Sequence, residues 1–243
     1  MKRIIKVLVL IVLLFVGLSM LKKTYYRLND KLNDNTYNKV VEKVNNYKNI
    51  DNDTKNEIIV QELSNEFINK DIKGIIKIGN NLINVPIVQT DNNEYYVRHS
   101  VNKKYNVNGA VFIDYRNNIN SKKILVYGHS YRRNMNRGFS NLFKYKYKEF
   151  LNKNQIITLN IDGKVSNWQI FSAMVVKYDD NQYIHTKVEF KDDNDFINHI
   201  KWIKDNSLYD TNVEVSPSDR ILTIQTCYYE PEGSYFIINA REI

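Results

Sequence analysis

A chain of 243 residues, 43% hydrophobic and 26% charged with only 3 prolines, has room for one domain with a sizeable core plus a tether, or for two small domains. Its single cysteine, Cys227, excludes an intramolecular disulfide. The four histidines, His99, His129, His185 and His199, are too scattered for zinc-ligand spacing, so neither a metal nor another cofactor is expected. The formal charge of +8 is dispersed rather than gathered into one block, which argues against nucleic acid as a partner. Anionic lipid head groups and envelope polymers attract the same charge, so charge alone selects no partner.

Ile4 to Leu21 are apolar apart from Lys6, Gly17 and Ser19, with Lys2 and Arg3 before them and Lys22 and Lys23 after. A helix over that stretch spans roughly 27 Å, close to the hydrocarbon thickness of a bilayer. No small-x-small cleavage site follows Leu21, which favours an uncleaved anchor over a signal peptide. Basic residues at both ends leave the orientation open. The short N-terminal flank suggests export of the bulk, so residues 1–23 are expected to anchor the chain with 24–243 outside the cell.

From Thr24 to Lys70 the sequence is polar and lacks both Pro and Gly. Val40, Val41, Val44 and Tyr47 recur at near-helical spacing, as do Ile59, Leu63 and Phe67. Asp51, Asp53 and Thr54 offer capping chemistry for the second set. Residues 24–70 are therefore expected to hold two helices, a stalk and one packed on the domain that follows.

Residues 71–243 read as short β runs: Gly74–Ile78, Val85–Gln89, Ala110–Ile113, Lys123–Tyr127, Gln155–Ile161, Trp168–Tyr178, Ile221–Thr226 and Tyr235–Ala240. Turns rich in Asn, Asp and Gly separate them, and Asp162-Gly163 is a hairpin signal. A short helical piece is expected near Ser140–Tyr147. A clearer one spans Asp193 to Asp205 with Phe196, Ile197, Ile200, Trp202 and Ile203. The fold class is mostly β, a barrel or sandwich with appended helices.

Cys227 ends the run Ile221-Leu222-Thr223-Ile224-Gln225-Thr226, and His129 follows Lys123–Tyr127 through Gly128. A strand end holds a side chain rigidly yet can present it to a cleft. A Cys–His pair is the minimum set for thiol nucleophilic catalysis, since imidazole draws off the thiol proton and later protonates the leaving amine. A third group must then support the oxyanion. On its own Cys227 reads first as a buried core thiol, ahead of a nucleophile. His99 ranks close to His129, whereas His185 falls in a polar loop and His199 on what reads as a solvated helix face.

Thr223-Ile224-Gln225-Thr226-Cys227 resembles the T-L-x-T-C signature of sortases, and Leu125-Val126-Tyr127-Gly128-His129 resembles the strand that delivers their histidine. Three further segments are similar to the class B branch: Pro86-Ile87-Val88-Gln89 with Asp91-Asn92 and Tyr95-Tyr96; Gly109 to Arg116; and Phe139, Leu142 and Tyr145. The resemblance covers about Gly74 to Ile243. It implies an eight-stranded sortase β-barrel on the outer face of a Gram-positive membrane. It also implies a cysteine transpeptidase that cleaves a C-terminal sorting signal after Thr. Surface proteins or pilins would be its substrates, and a peptidoglycan precursor or pilin amine its acceptor. Cys227 would be the nucleophile and His129 the general acid/base.

One position departs from that pattern. Sortases carry an arginine near the start of the strand after the cysteine, where this chain has Tyr235 in Gly233-Ser234-Tyr235-Phe236. A phenol offers one neutral donor, whereas guanidinium offers charge and a fork of donors. Tyr235 is taken as the third site residue, with Arg220, Arg132 and Arg133 as the other candidates for the missing donor. Two other functions remain open at this stage: a weakened, tethered module that binds sorting signals, and a thiol hydrolase in which water resolves the intermediate.

Overall fold

The computed structural model describes residues 2–46, 53–80, 82–131, 138–178 and 184–243. The chain divides into two compact units, Met1–Lys43 and Val44–Ile243. The first lies within α1 (Lys2–Asn46). Its stretch Ile5–Tyr25 has a mean hydropathy of 2.5 and is long and apolar enough to cross a membrane. The expected anchor and stalk helices are therefore one helix. No Pro interrupts 2–46, and Gly17 is tolerated inside the run. Tyr47 and Asp51 lie outside the described residues, as do the side chains of Val40, Asp53 and Thr54.

In the second unit, α2 (Asp53–Glu66) buries Ile59 and Leu63. They pack with Val44, Ile72 and Val88. Eight strands follow: β1 (Ile72–Ile78), β2 (Ile83–Val88), β3 (Val111–Ile113), β4 (Lys123–Tyr127), β5 (Ile156–Ile161), β6 (Lys164–Lys177), β7 (Ile221–Tyr228) and β8 (Ser234–Glu242). They close into a barrel in the order β1-β2-β3-β4-β7-β8-β6-β5, which leaves no free edge. Each coincides with a run read from the sequence.

The Asp162-Gly163 turn pairs Ile161 with Lys164. Both turn residues have positive φ, 49° and 82°, the geometry of a two-residue type I′ hairpin. It starts β6 four residues before the expected Trp168. The piece expected near Ser140–Tyr147 is a 3-10 turn, Phe139–Lys146, followed by the short α3 (Lys148–Lys153).

The helix α4 (Asp193–Asp205) is capped by the Asp192 carboxylate, which accepts from the Asp195 N–H at 2.8 Å. Phe196, Ile200 and Ile203 pack with Phe171, Met174, Val176, Ile221 and Ile237. His199 belongs to the same stripe and is buried, contrary to the solvated face expected for it. His185 is buried as well, rather than loose in a polar loop. Both surround the fully buried Lys123, whose ammonium donates to the His185 carbonyl at 2.7 Å and lies 3.0 Å from His199 Nε2. Burial, reinforced by the Arg116 charge, pushes the Lys123 pKa down to about 7.

Candidate active site

The site forms where β4 and β7 run parallel, with Tyr127 opposite Gln225. The pairing continues beyond β4 through Gly128, whose N–H donates to the Gln225 carbonyl at 3.2 Å. Ser130 then donates its hydroxyl to the Cys227 carbonyl at 2.6 Å. These bonds carry His129 to the C-terminal end of β7, where Cys227 sits. Every residue of β7 is buried except Cys227, which is partly open. Glycine is required at 128, because a Cβ there would lie 2.6 Å from the buried Phe139 ring. Gly109 has φ of +57°, and a Cβ on it would meet the Tyr96 carbonyl at 2.3 Å and the His129 ring at 3.0 Å. Both glycines let backbone approach the histidine closely.

His129 Nε2 lies 2.8 Å from the Val97 carbonyl. That carbonyl can only accept, so Nε2 carries the proton and the Nδ1 lone pair is the basic site. Burial lowers the His129 pKa and the Arg98 charge lowers it further, against the Val97 bond, which raises it. The imidazole is thus neutral at neutral pH and can accept a proton.

Cys227, His129 and Tyr235 line one cavity of about 240 Å³ together with Asn93, Val97, Phe112, Tyr127, Gln225 and Thr226. Tyr235 stands directly opposite Cys227 in the β7–β8 register, so the two side chains share a face. The structure therefore brings the three expected residues together. No arginine is among the described residues lining the cavity. Arg220 is engaged at the opposite end of β7, roughly 20 Å away along the strand, where it pairs with Glu242 at 3.0 Å and donates to Ser121. Arg132 and Arg133 lie outside the described residues. His99 is held by the Tyr95 carbonyl at 2.7 Å and stacks on the Tyr95 ring, and it is not part of the cavity wall.

Under the cavity lies a polar support that sequence reasoning quoted as motif but gave no role. Asp114 is fully buried and receives a forked pair from Arg116, at 2.8 and 2.7 Å, with Asn93 and Tyr127 each at 3.0 Å. Burial alone would raise its pKa, but these bonds outweigh it and hold the carboxylate below its usual range. Asn93 and Tyr127 are thereby fixed as wall residues. A second unforeseen neighbour is Tyr178, whose hydroxyl lies within electrostatic reach of Cys227 and whose ring centroid lies 4.4 Å from that of Tyr235. The signal for it was only the end of β6, where one more aromatic looked like packing.

The Sortase domain family model matches residues 76–242. Sortase B of Listeria monocytogenes is 34% identical over 170 residues, covering 68% of this chain and 66% of its own length. The chain thus spans just under two thirds of that curated relative. Among solved structures, a mutant form of Clostridium perfringens sortase B superposes with a TM-score of 0.75 at 28% identity, covering 86% of this chain and 97% of that one. A substrate complex of Staphylococcus aureus sortase B gives 0.75 at 25% identity, covering 89% and 98%. The closed eight-stranded barrel and the Cys–His cavity agree with that likeness, and the chain belongs to the sortase family.

Proposed function

We propose that the chain is a class B cysteine transpeptidase that cleaves a C-terminal sorting signal after Thr and passes the acyl group to an amine. The observation carrying the reading is that Cys227 and His129 line one cavity at the C-terminal ends of two hydrogen-bonded parallel strands. Neutral His129 takes the thiol proton. The thiolate then attacks the threonine carbonyl, forming the C–S bond while the C=O π pair moves onto oxygen. Collapse of that intermediate expels the peptide amine, which receives the proton from His129 imidazolium. The thioacyl-enzyme is resolved by an incoming amine from a peptidoglycan precursor or a pilin lysine. That amine loses a proton to His129 and regenerates the thiolate.

Tyr235 fills the third role in this reading, on the oxyanion side, and its position opposite Cys227 supports the assignment. Residues 1–23 serve as a single-pass anchor, 24–70 as a helical stalk and the N-terminal helix packed on the domain, and 71–243 as the catalytic domain on the outer face of the membrane. The apolar stretch Ile5–Tyr25 supports the anchor. The likeness to a substrate complex of the Staphylococcus aureus enzyme supports a peptide in the cavity.

A labelled sorting-signal peptide incubated with the full chain and a poly-glycine or diaminopimelate amine separates the outcomes. Amine-ligated product, lost in Cys227→Ala, is the expected result. Cleavage to free acid alone would make the protein a thiol hydrolase. The absence of arginine among the described residues lining the cavity favours a second reading, a tethered module that holds sorting signals. Peptide binding without Cys227-dependent cleavage would establish that one instead.

A further inference from the structure

We propose that Tyr178 is the hydrogen-bond donor that holds the Cys227 thiolate, and that the Tyr235 ring is the surface that aims it. The inference rests on the reading of Cys227 as nucleophile and adds a residue to that site. Three observations on separate elements converge on it. Tyr178 is fixed at the end of β6, where its backbone N–H donates to the Gly233 carbonyl at 2.8 Å. In the barrel register Val176 stands opposite Tyr235, and Tyr235 opposite Cys227. Tyr178, two residues beyond Val176, falls on the same face by strand parity. The side chains complete this row: the rings of Tyr178 and Tyr235 lie 4.4 Å apart at 40°, which brings the Tyr178 hydroxyl within electrostatic reach of the cysteine.

The Tyr235 ring is itself backed by the buried His185, 5.3 Å away between centroids. Behind His185 stands Lys123, bonded to its carbonyl. Tyr178 thus rests on a stack rooted in the core, although the residue itself is 43% exposed. That arrangement suits a donor that must be rigid at its tip and reachable by substrate.

A phenol can serve a thiolate only while it keeps its own proton. Burial first, then the interaction with Cys227 and the charges of Cys227, Tyr235 and Tyr229, push the Tyr178 hydroxyl above its ordinary range. It therefore remains a donor when the thiol ionises. The thiol proton goes to His129, and Tyr178 transfers none. A hydrogen bond to an ionised acceptor is roughly twice as strong as a neutral one. Tyr235 lines that wall, in which the described residues include no guanidinium, and the Tyr178 ring packs against it.

The test follows alkylation of Cys227 by iodoacetamide across pH in the full chain, read by intact mass. Cys227 is the only cysteine, so all signal reports on it, and no sorting peptide is needed. Failure of the transpeptidase reading therefore leaves the assay interpretable. Tyr178→Phe keeps the ring and removes the donor. Its profile midpoint is expected to move up by about one pH unit. A less stabilised thiolate is also more nucleophilic, with a Brønsted slope near 0.4–0.5. The rate below the midpoint should therefore fall about three-fold and the alkaline plateau rise about three-fold. A merely structural role moves neither quantity in that crossed pattern. Superimposable profiles for wild type and Tyr178→Phe would overturn the proposal. Tyr235→Leu, which removes the supporting ring, should move the midpoint in the same direction. An unchanged midpoint there, with Tyr178→Phe shifted, would overturn the aiming role of Tyr235.

Discussion

Cys227 and His129 owe their suitability to what surrounds each. The thiol is the one partly open position in an otherwise buried strand, and the imidazole has its Nε2 proton committed to Val97. Because burial and the Arg98 charge depress the His129 pKa, the acid limb of kcat/KM should lie below pH 6.5, the ordinary histidine value. Removing the cation makes imidazolium easier to form. Arg98→Ala should therefore move that limb upward by roughly a few tenths of a unit at low salt, read from pH–rate profiles. Tyr235→Phe should lower turnover of a sorting-signal peptide by about 10²-fold if its hydroxyl supports the oxyanion. Unchanged turnover would remove that hydroxyl from the chemistry. Cys227 and His129, the proposed nucleophile and base, stood out in the sequence because the strand runs that lead to them resemble sortase motifs. Tyr178 did not, because its relation to Cys227 passes through β8, and only the closed register shows it.

At the level of elements, the parallel β4–β7 pair does the positioning, and its continuation depends on Gly128. Gly128→Ala would drive a methyl into the buried Phe139 ring. It should cost about 1–3 kcal/mol of stability and lower turnover by displacing His129, as seen in thermal melts and peptide cleavage. Lys123, at the start of β4, makes a different prediction. Its folded pKa of about 7 lies below the 10.5 of the exposed side chain, so between those values the unfolded chain binds more protons. This residue therefore makes stability rise with pH from about 7 to about 10.5. Denaturant unfolding at pH 7 and pH 9 should show that rise, and Lys123→Met should flatten it. The same element explains a misreading. His199 shares the stripe of Phe196, Ile200 and Ile203 at helical spacing, but a histidine there reads as polar until its buried lysine partner is seen. That lysine lies on β4, far from α4 in sequence, which no local pattern reveals.

For the whole molecule, eight β runs were visible as alternating or continuous apolar stretches, and the barrel uses all of them. Their order around the barrel was not readable. β4 neighbours β7 across a long intervening stretch that holds β5, β6 and α4, and only closure of the sheet settles that adjacency. The break expected between residues 23 and 24 is absent from the helix, because a polar run without Pro or Gly simply continues the apolar one. Deleting residues 1–25 should release the protein from membranes into the soluble fraction while leaving peptide turnover within about two-fold. Retention of the truncated chain in the membrane pellet would remove Ile5–Tyr25 as the anchor. The most direct measurement is the intact mass of the protein after incubation with a sorting-signal peptide and no added amine. A covalent adduct with the mass of the acyl fragment is expected on wild type, absent from Cys227→Ala and strongly reduced in His129→Ala. An adduct that persists in Cys227→Ala, or none on wild type across a broad peptide library, would contradict a thioacyl mechanism at this site.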